Sequence, residues 1–177
     1  WDIKKLHKKI LSSATIKQTS KIREDLVNID PENYLLAKGP SQRMSAEMIR
    51  DNALKVSGLL VPIIGGKSVY PYQPSGLWDL SDKSWRYRYQ HDKDENLYRR
   101  SLYTFWKRSA PPPSMLIFDT PNRDLCSVKR TLTSSPLQAL LLLNDPQFIE
   151  AARVMAENSI LSKEKSIDKK LSTLFRE

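Results

Sequence analysis

The chain has 177 residues, of which 40% are hydrophobic and 28% are charged, a balance typical of globular rather than disordered proteins. No apolar run approaches the roughly 20 residues that a membrane-spanning helix needs. The single cysteine excludes an internal disulfide, a zinc site of paired cysteines and a haem attachment motif. The net charge of +9 is compatible with an acidic partner, but the basic residues are spread along the chain and do not form the stripe that favours nucleic acid.

The first part of the chain, residues 1–61, is predicted to be helical. Residues 2–13 place four apolar side chains on one helical face and lysines on the other; the apolar four are Ile3, Leu6, Ile10 and Leu11. Asp30, followed by Pro31, has the pattern of a helix start, and Gly39 and Pro40 would end that short helix. Both ends of the chain lie inside amphipathic patterns, so we expect either one domain or a piece of a larger one.

A second helix is predicted over residues 46–60, with Ser45 as its N-cap. Four charged side chains at or before its first turns have helical spacing, which predicts a partly buried ion network; they are Arg43, Glu47, Arg50 and Asp51.

The middle of the chain, residues 62–96, is predicted to be irregular because Gly and Pro recur through it, yet it is rich in aromatic residues. Residues 97–119 are predicted to form a strand and a connector. The strand is expected over 97–107, with a helix as the alternative, and residues 85–89 alternate in a way that could complete a small β-hairpin. Prolines 111–113 predict a rigid extended connector.

The last part, residues 135–177, is again predicted to be helical. Ser135, Pro136 and Gln138 have a capping-box pattern, and the run 139–143 is apolar all round, which predicts a buried helix. Asp145 and Pro146 begin another helix, and a final one is marked by leucines near residue 171. The sequence therefore predicts a mainly α fold.

Few residues favour catalysis. His91 beside Asp92 could act as an oriented general base, while His7 has the setting of a surface histidine. Cys126 has cations nearby that would lower a thiol pKa, but a buried, slowly reacting thiol is the favoured interpretation. Pairs of carboxylates could serve glycoside hydrolysis. No paired-histidine metal motif or phosphate-binding loop occurs, so the catalytic residues are unknown and no metal site is predicted.

Several segments in a consistent order resemble one family. They are RMSAEMIRD (43–51), PYQPSGLW (71–78), YRRSLYTFWKR (98–108), PPPSM (111–115), FD (118–119), CSVKRT (126–131), PLQAL (136–140) and NDP (144–146). Together they resemble the C-terminal domain of unknown function of planctomycete-type cytochrome-c-like proteins. The match covers nearly the whole chain. Lys129 stands where an arginine is usual.

The resemblance implies an exported, extracytoplasmic protein that takes part in polysaccharide utilisation. It implies no catalytic residue set. It also implies that haem belongs to a cytochrome-c-like domain elsewhere in a parent chain, so no cofactor is expected in this segment. That domain is one expected partner. An acidic or sulfated polysaccharide is the other.

Arginines interleave with aromatic residues in the second third of the chain, which suits an anionic sugar because a guanidinium can grip a sulfate or carboxylate while rings stack on sugar faces. The predicted ligand-binding residues are Arg86, Arg88, Arg99, Arg100, Arg108, Tyr72, Trp78 and Trp106. Two functions stay open: a binding or accessory module, or the catalytic domain of a polysaccharide-processing or redox enzyme. A structural network of arginines and carboxylates is the alternative for the cluster.

Overall fold

The computed structural model describes residues 1–22, 24–39, 41–81, 88–164 and 166–175. Across these ranges the protein is mainly helical, as predicted, and has no sheet. The chain divides into two compact units, Trp1–Arg43 and Met44–Glu177. In the part of the chain described, no helix combines the length and the apolar character that crossing a membrane requires.

In its described residues, the first unit contains two helices, α1 (Ile3–Leu11) and α2 (Glu24–Val27). The Asp2 carboxylate caps α1 by accepting a hydrogen bond from the Lys5 N–H at 2.9 Å. The predicted helix after Asp30 does not form. The Asp30 carboxylate instead accepts the N–H groups of Tyr34 and Leu35 at 2.8 and 2.7 Å. Such local bonds compete with the helix for the same backbone donors.

The second unit is built from six helices in the residues described: α3 (Ala46–Val56), α4 (Leu77–Ser81), α5 (Pro113–Ile117), α6 (Pro136–Asn144), α7 (Pro146–Leu161) and α8 (Ile167–Leu174). Helix α3 packs on α5 and α7, α6 packs on the same two, and α7 packs on α8. The small core between α3 and α5 contains Ala46, Met115 and Phe118. The prediction that α3 reaches residue 60 is wrong, because the chain leaves the helix through Ser57 and a left-handed Gly58.

Residues 97–107 do not form the predicted strand. A 3-10 helix, Asp94–Tyr98, ends there and a second one, Ser101–Tyr103, follows, with isolated bridges from Arg99 to Val61 and from Thr104 to Val69. The predicted hairpin partner, residues 85–89, lies mostly outside the described residues. The proline run is also a shorter connector than predicted, because Pro113 is the first residue of α5.

Helix α6 begins where its capping pattern predicts, but the prediction that it is buried is wrong. Its leucines other than Leu141 are largely exposed, and among its residues only Gln138 is buried. The helix packs on its neighbours along one side, so a sequence that is apolar all round leaves apolar surface facing outward.

Candidate functional site

Among the described residues of the second unit, Arg50 is the arginine with the most hydrogen bonds. It lies on the inner face of α3, where its side chain is almost wholly buried. Its guanidinium donates four hydrogen bonds, to Gln147 Oε1 at 2.5 Å, to the carbonyl oxygens of Leu97 and Arg99 at 2.7 Å each, and to Ser101 Oγ at 3.2 Å. Burial lowers the pKa of Arg50 to about 10, so the group stays a cation at neutral pH. Arg50 therefore holds α7 and both 3-10 helices against α3.

The two carboxylates of the predicted ion network, Asp51 and Glu47, have different partners. Asp51 Oδ1 lies 3.8 Å from the Arg50 guanidinium and accepts the Ser101 N–H at 2.7 Å. Glu47 pairs with Arg130 at 2.7 Å. Burial alone would raise the pKa of Glu47, but the hydrogen bond from Arg130 brings it below its usual value. Both carboxylates are thus engaged in holding the chain together.

Arg99 is buried rather than directed at a ligand. Its guanidinium donates to the carbonyl oxygens of Lys67 and Ile63 at 3.0 and 3.2 Å, and to that of Gly65. It also lies 4.1 Å from the centre of the Tyr103 ring. Arg99 therefore stabilises the irregular segment at residues 63–67 and is not part of the candidate ligand surface.

The other predicted arginines have different settings. Arg88, Arg100 and Arg108 are exposed. Arg86 lies outside the described residues. The structure therefore does not gather the predicted arginines at one place: Arg100 lines a groove beside α3, while Arg108 lies near the loop that follows α5.

The three predicted aromatic ligand residues lie in three different settings. Tyr70, Trp78, Tyr89 and Phe105 pack together with ring centres between 5.0 and 6.3 Å apart. Trp78 is buried in this group and the Lys107 ammonium lies 4.6 Å from its ring centre. Trp78 thus contributes to packing and offers little surface to a ligand.

Trp106 lies apart from this group: it is half-buried and packs against the small core between α3 and α5. Its indole N–H donates to the Asn122 carbonyl at 3.2 Å, and the Arg123 guanidinium lies 4.6 Å from its ring centre. Arg108 is held loosely beside it, 3.8 Å from Asp124. We call Trp106, Arg108, Arg123 and Asp124 the Trp106 surface. Trp106 and Arg108 were among the predicted ligand residues, but Arg123 was not, because no local pattern links residues so far apart in the chain.

Tyr72 lies apart from the Trp106 surface, in a groove of about 370 Å³. The groove is lined on one side by the loop at Tyr72 and on the other by α6, chiefly by Leu137, Leu140 and Leu141. Close to Tyr72, the Tyr98 hydroxyl donates to Glu150 at 2.9 Å. Burial and this hydrogen bond raise the pKa of Tyr98 to about 12, so the phenol stays protonated at neutral pH.

The histidine proposed as a base is not oriented by its neighbour's carboxylate. His91 Nδ1 lies 2.8 Å from the Asp92 backbone oxygen, while the Asp92 carboxylate accepts the Tyr70 N–H at 2.8 Å. Among the described residues, no group of three or more histidine, cysteine, aspartate or glutamate side chains could hold a metal ion.

Cys126 is exposed, which contradicts the prediction of a buried thiol. It follows α5 in an extended loop rather than packing under the last helices. We expect a disulfide-exchange reagent to label it, under native conditions at pH 8, within a few-fold of its rate in the urea-unfolded chain. Labelling slower by more than about a hundredfold would mean that the thiol is reached only by opening of the structure.

Comparison with protein-family profiles finds a match that spans the chain. The profile of the PSD1 family, proteins of unknown function (DUF1553), matches residues 1–177. No curated protein and no solved structure matches the chain. Because the family profile spans every segment described above, the chain belongs to the PSD1 (DUF1553) family of proteins of unknown function.

Proposed function

We propose that this chain is a binding module for an acidic or sulfated polysaccharide and that the Trp106 surface carries the ligand. The proposal places the protein outside the cytoplasm, as an accessory part of polysaccharide utilisation. It assigns no cofactor to this segment and leaves any haem to a cytochrome-c-like domain of a parent chain.

The observation that carries the proposal is the arrangement of Arg123 against Trp106. A guanidinium 4.6 Å from a ring centre is held by the ring's negative face, so less rotamer freedom is lost when it binds an anion. Arg123 is exposed, and within the described residues no carboxylate pairs with it. Its planar fork matches the oxygens of a sulfate or a carboxylate.

Other groups near Arg123 also favour binding of an anionic sugar. Arg108 is largely exposed, and its 3.8 Å separation from Asp124 is too long for a strong hydrogen bond, so an anionic ligand can compete for it. The net charge of +9 adds a long-range attraction for polyanions. Trp106 is half-buried, so a sugar ring would contact the part of the indole that neither Arg123 nor the core covers.

Two substitutions test the surface. We expect Arg123→Ala and Arg108→Ala each to weaken binding of dextran sulfate by about three- to tenfold, because each removes one charge-assisted contact. Arg153→Ala is the matched control, since Arg153 is exposed on α7 and pairs with Glu157 at 2.9 Å. It should change the affinity by less than about twofold. Titration calorimetry at 50 and 200 mM salt measures all four proteins, with neutral dextran as the second ligand.

The results distinguish a specific binding site from nonspecific attraction by the net positive charge. Binding to dextran sulfate should fall at the higher salt concentration, since exposed charges are screened over about 10 Å at 0.1 M. Equal losses in all three variants would show that only net charge matters. Equal binding of neutral and sulfated dextran would remove the acidic-ligand proposal altogether.

A further inference from the structure

Helix α1 divides cleanly into two chemical faces. At about 100° per residue, the apolar side chains and His7 span about 140° of its circumference, and its lysines fill the other side. The apolar set is Ile3, Leu6, Ile10 and Leu11, and the basic set is Lys4, Lys5, Lys8 and Lys9. No carboxylate interrupts either face, because Asp2 precedes the helix and is used as its cap.

Both faces of α1 are uncovered. Every residue from Ile3 to Leu11 is exposed, and even Ile10, the most sheltered of the apolar four, keeps 47% of its surface accessible. Trp1, directly before the cap, is fully exposed as well. A nine-residue helix with no buried side chain gains little from packing, so an external surface that covers its apolar face would stabilise it.

We propose that α1 docks on an anionic lipid surface, lying parallel to it with the apolar face in the acyl boundary. The four lysines supply the charge complementarity, since a protein partner would need a matching acidic groove whereas an anionic bilayer presents negative charge on every side. Lysine stems are long enough to keep their ammonium groups at headgroup level while the leucines and isoleucines enter the apolar region. This inference uses the first unit only and does not depend on the Trp106 surface.

The helix is short, so the expected binding is reversible. Each lysine near an anionic surface contributes about fivefold to partitioning at low salt. The apolar face alone buries too little area for tight attachment, which makes the interaction dependent on both anionic lipid and salt. Neutral vesicles should therefore bind the chain at least tenfold more weakly than vesicles with 30% anionic lipid.

The experiment is vesicle co-sedimentation of the full 177-residue chain with phosphatidylcholine vesicles containing 0 or 30% phosphatidylglycerol. Replacement of all four α1 lysines by Gln should lower partitioning at least twentyfold. The matched control replaces four exposed lysines of the second unit by Gln and should lower it less than threefold. Those control positions are Lys55, Lys67, Lys93 and Lys129. Circular dichroism verifies that both variants keep their helix content.

A second pair of variants tests insertion rather than charge. Leu6→Gln combined with Ile10→Gln should lower partitioning at least tenfold, while Leu102→Gln combined with Leu125→Gln, at exposed sites of the second unit, should leave it within twofold. Brominated lipids should quench the fluorescence of Trp1, measured as the difference between the wild type and Trp1→Phe.

Three results would overturn the proposal. Equal binding to neutral and anionic vesicles would show that the lysines do not recognise anionic lipid. Equal losses of partitioning in the α1 and control variants would show that only the net charge of the chain matters. If the wild type instead forms a dimer in light scattering that Leu6→Gln with Ile10→Gln dissolves, and no vesicle binds, then a second copy covers the face.

Discussion

Replacing Arg50 by Ala is expected to lower the free energy of unfolding by about 3 to 5 kcal/mol. The buried guanidinium donates to four acceptors, and its loss leaves the carbonyl oxygens of Leu97 and Arg99 and the Gln147 side chain without their donor. Each unsatisfied buried acceptor costs about 1 to 3 kcal/mol, reduced where water enters the space left by the side chain. Urea unfolding followed by circular dichroism measures the change.

Arg50→Lys separates charge from geometry. A lysine keeps the positive charge but is a point donor on a flexible stem, so it cannot reach α7 and both 3-10 helices at once. We expect it to recover less than half of the loss. Arg153→Ala, on the exposed side of α7, should change stability by no more than about 0.5 kcal/mol. An Arg50→Ala loss below about 1 kcal/mol would show that the guanidinium is solvated and not a hub.

Replacing Arg99 by Ala is expected to loosen the irregular segment at residues 62–69 and to lower the free energy of unfolding by about 2 kcal/mol. Arg99 donates to three carbonyl oxygens of that segment, and the Tyr103 hydroxyl accepts the Gly65 N–H at 2.7 Å beside it. The expected loss is smaller than for Arg50 because Ile63, Gly65 and Lys67 are exposed, so water can replace part of the lost bonding.

Hydrogen exchange distinguishes this local effect from global unfolding. Protection against exchange should fall at the Gly65 amide. Protection of the Leu54 amide, within α3, should change only as far as the global free energy of unfolding changes. Arg100→Ala is the adjacent control; Arg100 is exposed and should cost less than about 0.5 kcal/mol. Equal effects of the two substitutions on the Gly65 amide would contradict the assigned role of Arg99.

The helix starts of this protein are readable from the sequence because their signals are local. Ser45 accepts the Met48 N–H at 3.4 Å and Asp145 accepts the Gln147 N–H at 2.9 Å, so α3 and α7 begin where capping residues precede a periodic run. The ends are less predictable, as in α3, because a helix stops when its last turn finds another way to satisfy its carbonyls. Within the described residues, Asp30 shows the converse: its side chain bonds its own turn and prevents the helix that its pattern favours.

Burial of charged groups could not be read from the sequence. Arg99 and Arg100 are adjacent and chemically identical, yet one is buried against carbonyls of a distant segment and the other is exposed. The reversed expectations for Cys126 and for the leucines of α6 have the same origin, since exposure depends on which surfaces other elements cover. The pairing of Trp106 with Arg123 likewise needs two segments brought together by α5.

By itself, then, the sequence determined the helical class, the capped helix starts and the two-faced pattern of α1, because these depend on residues within a few positions of one another. Only the tertiary structure decided that Arg50 joins α3 to α7, that residues 97–107 form 3-10 turns instead of a strand, and which arginines remain at the surface. Those outcomes rest on hydrogen bonds between residues about 50 to 100 positions apart, such as Arg50 with Leu97 and with Gln147. No local preference encodes such partners; they are selected when the backbone acceptors of one segment meet the donors of another.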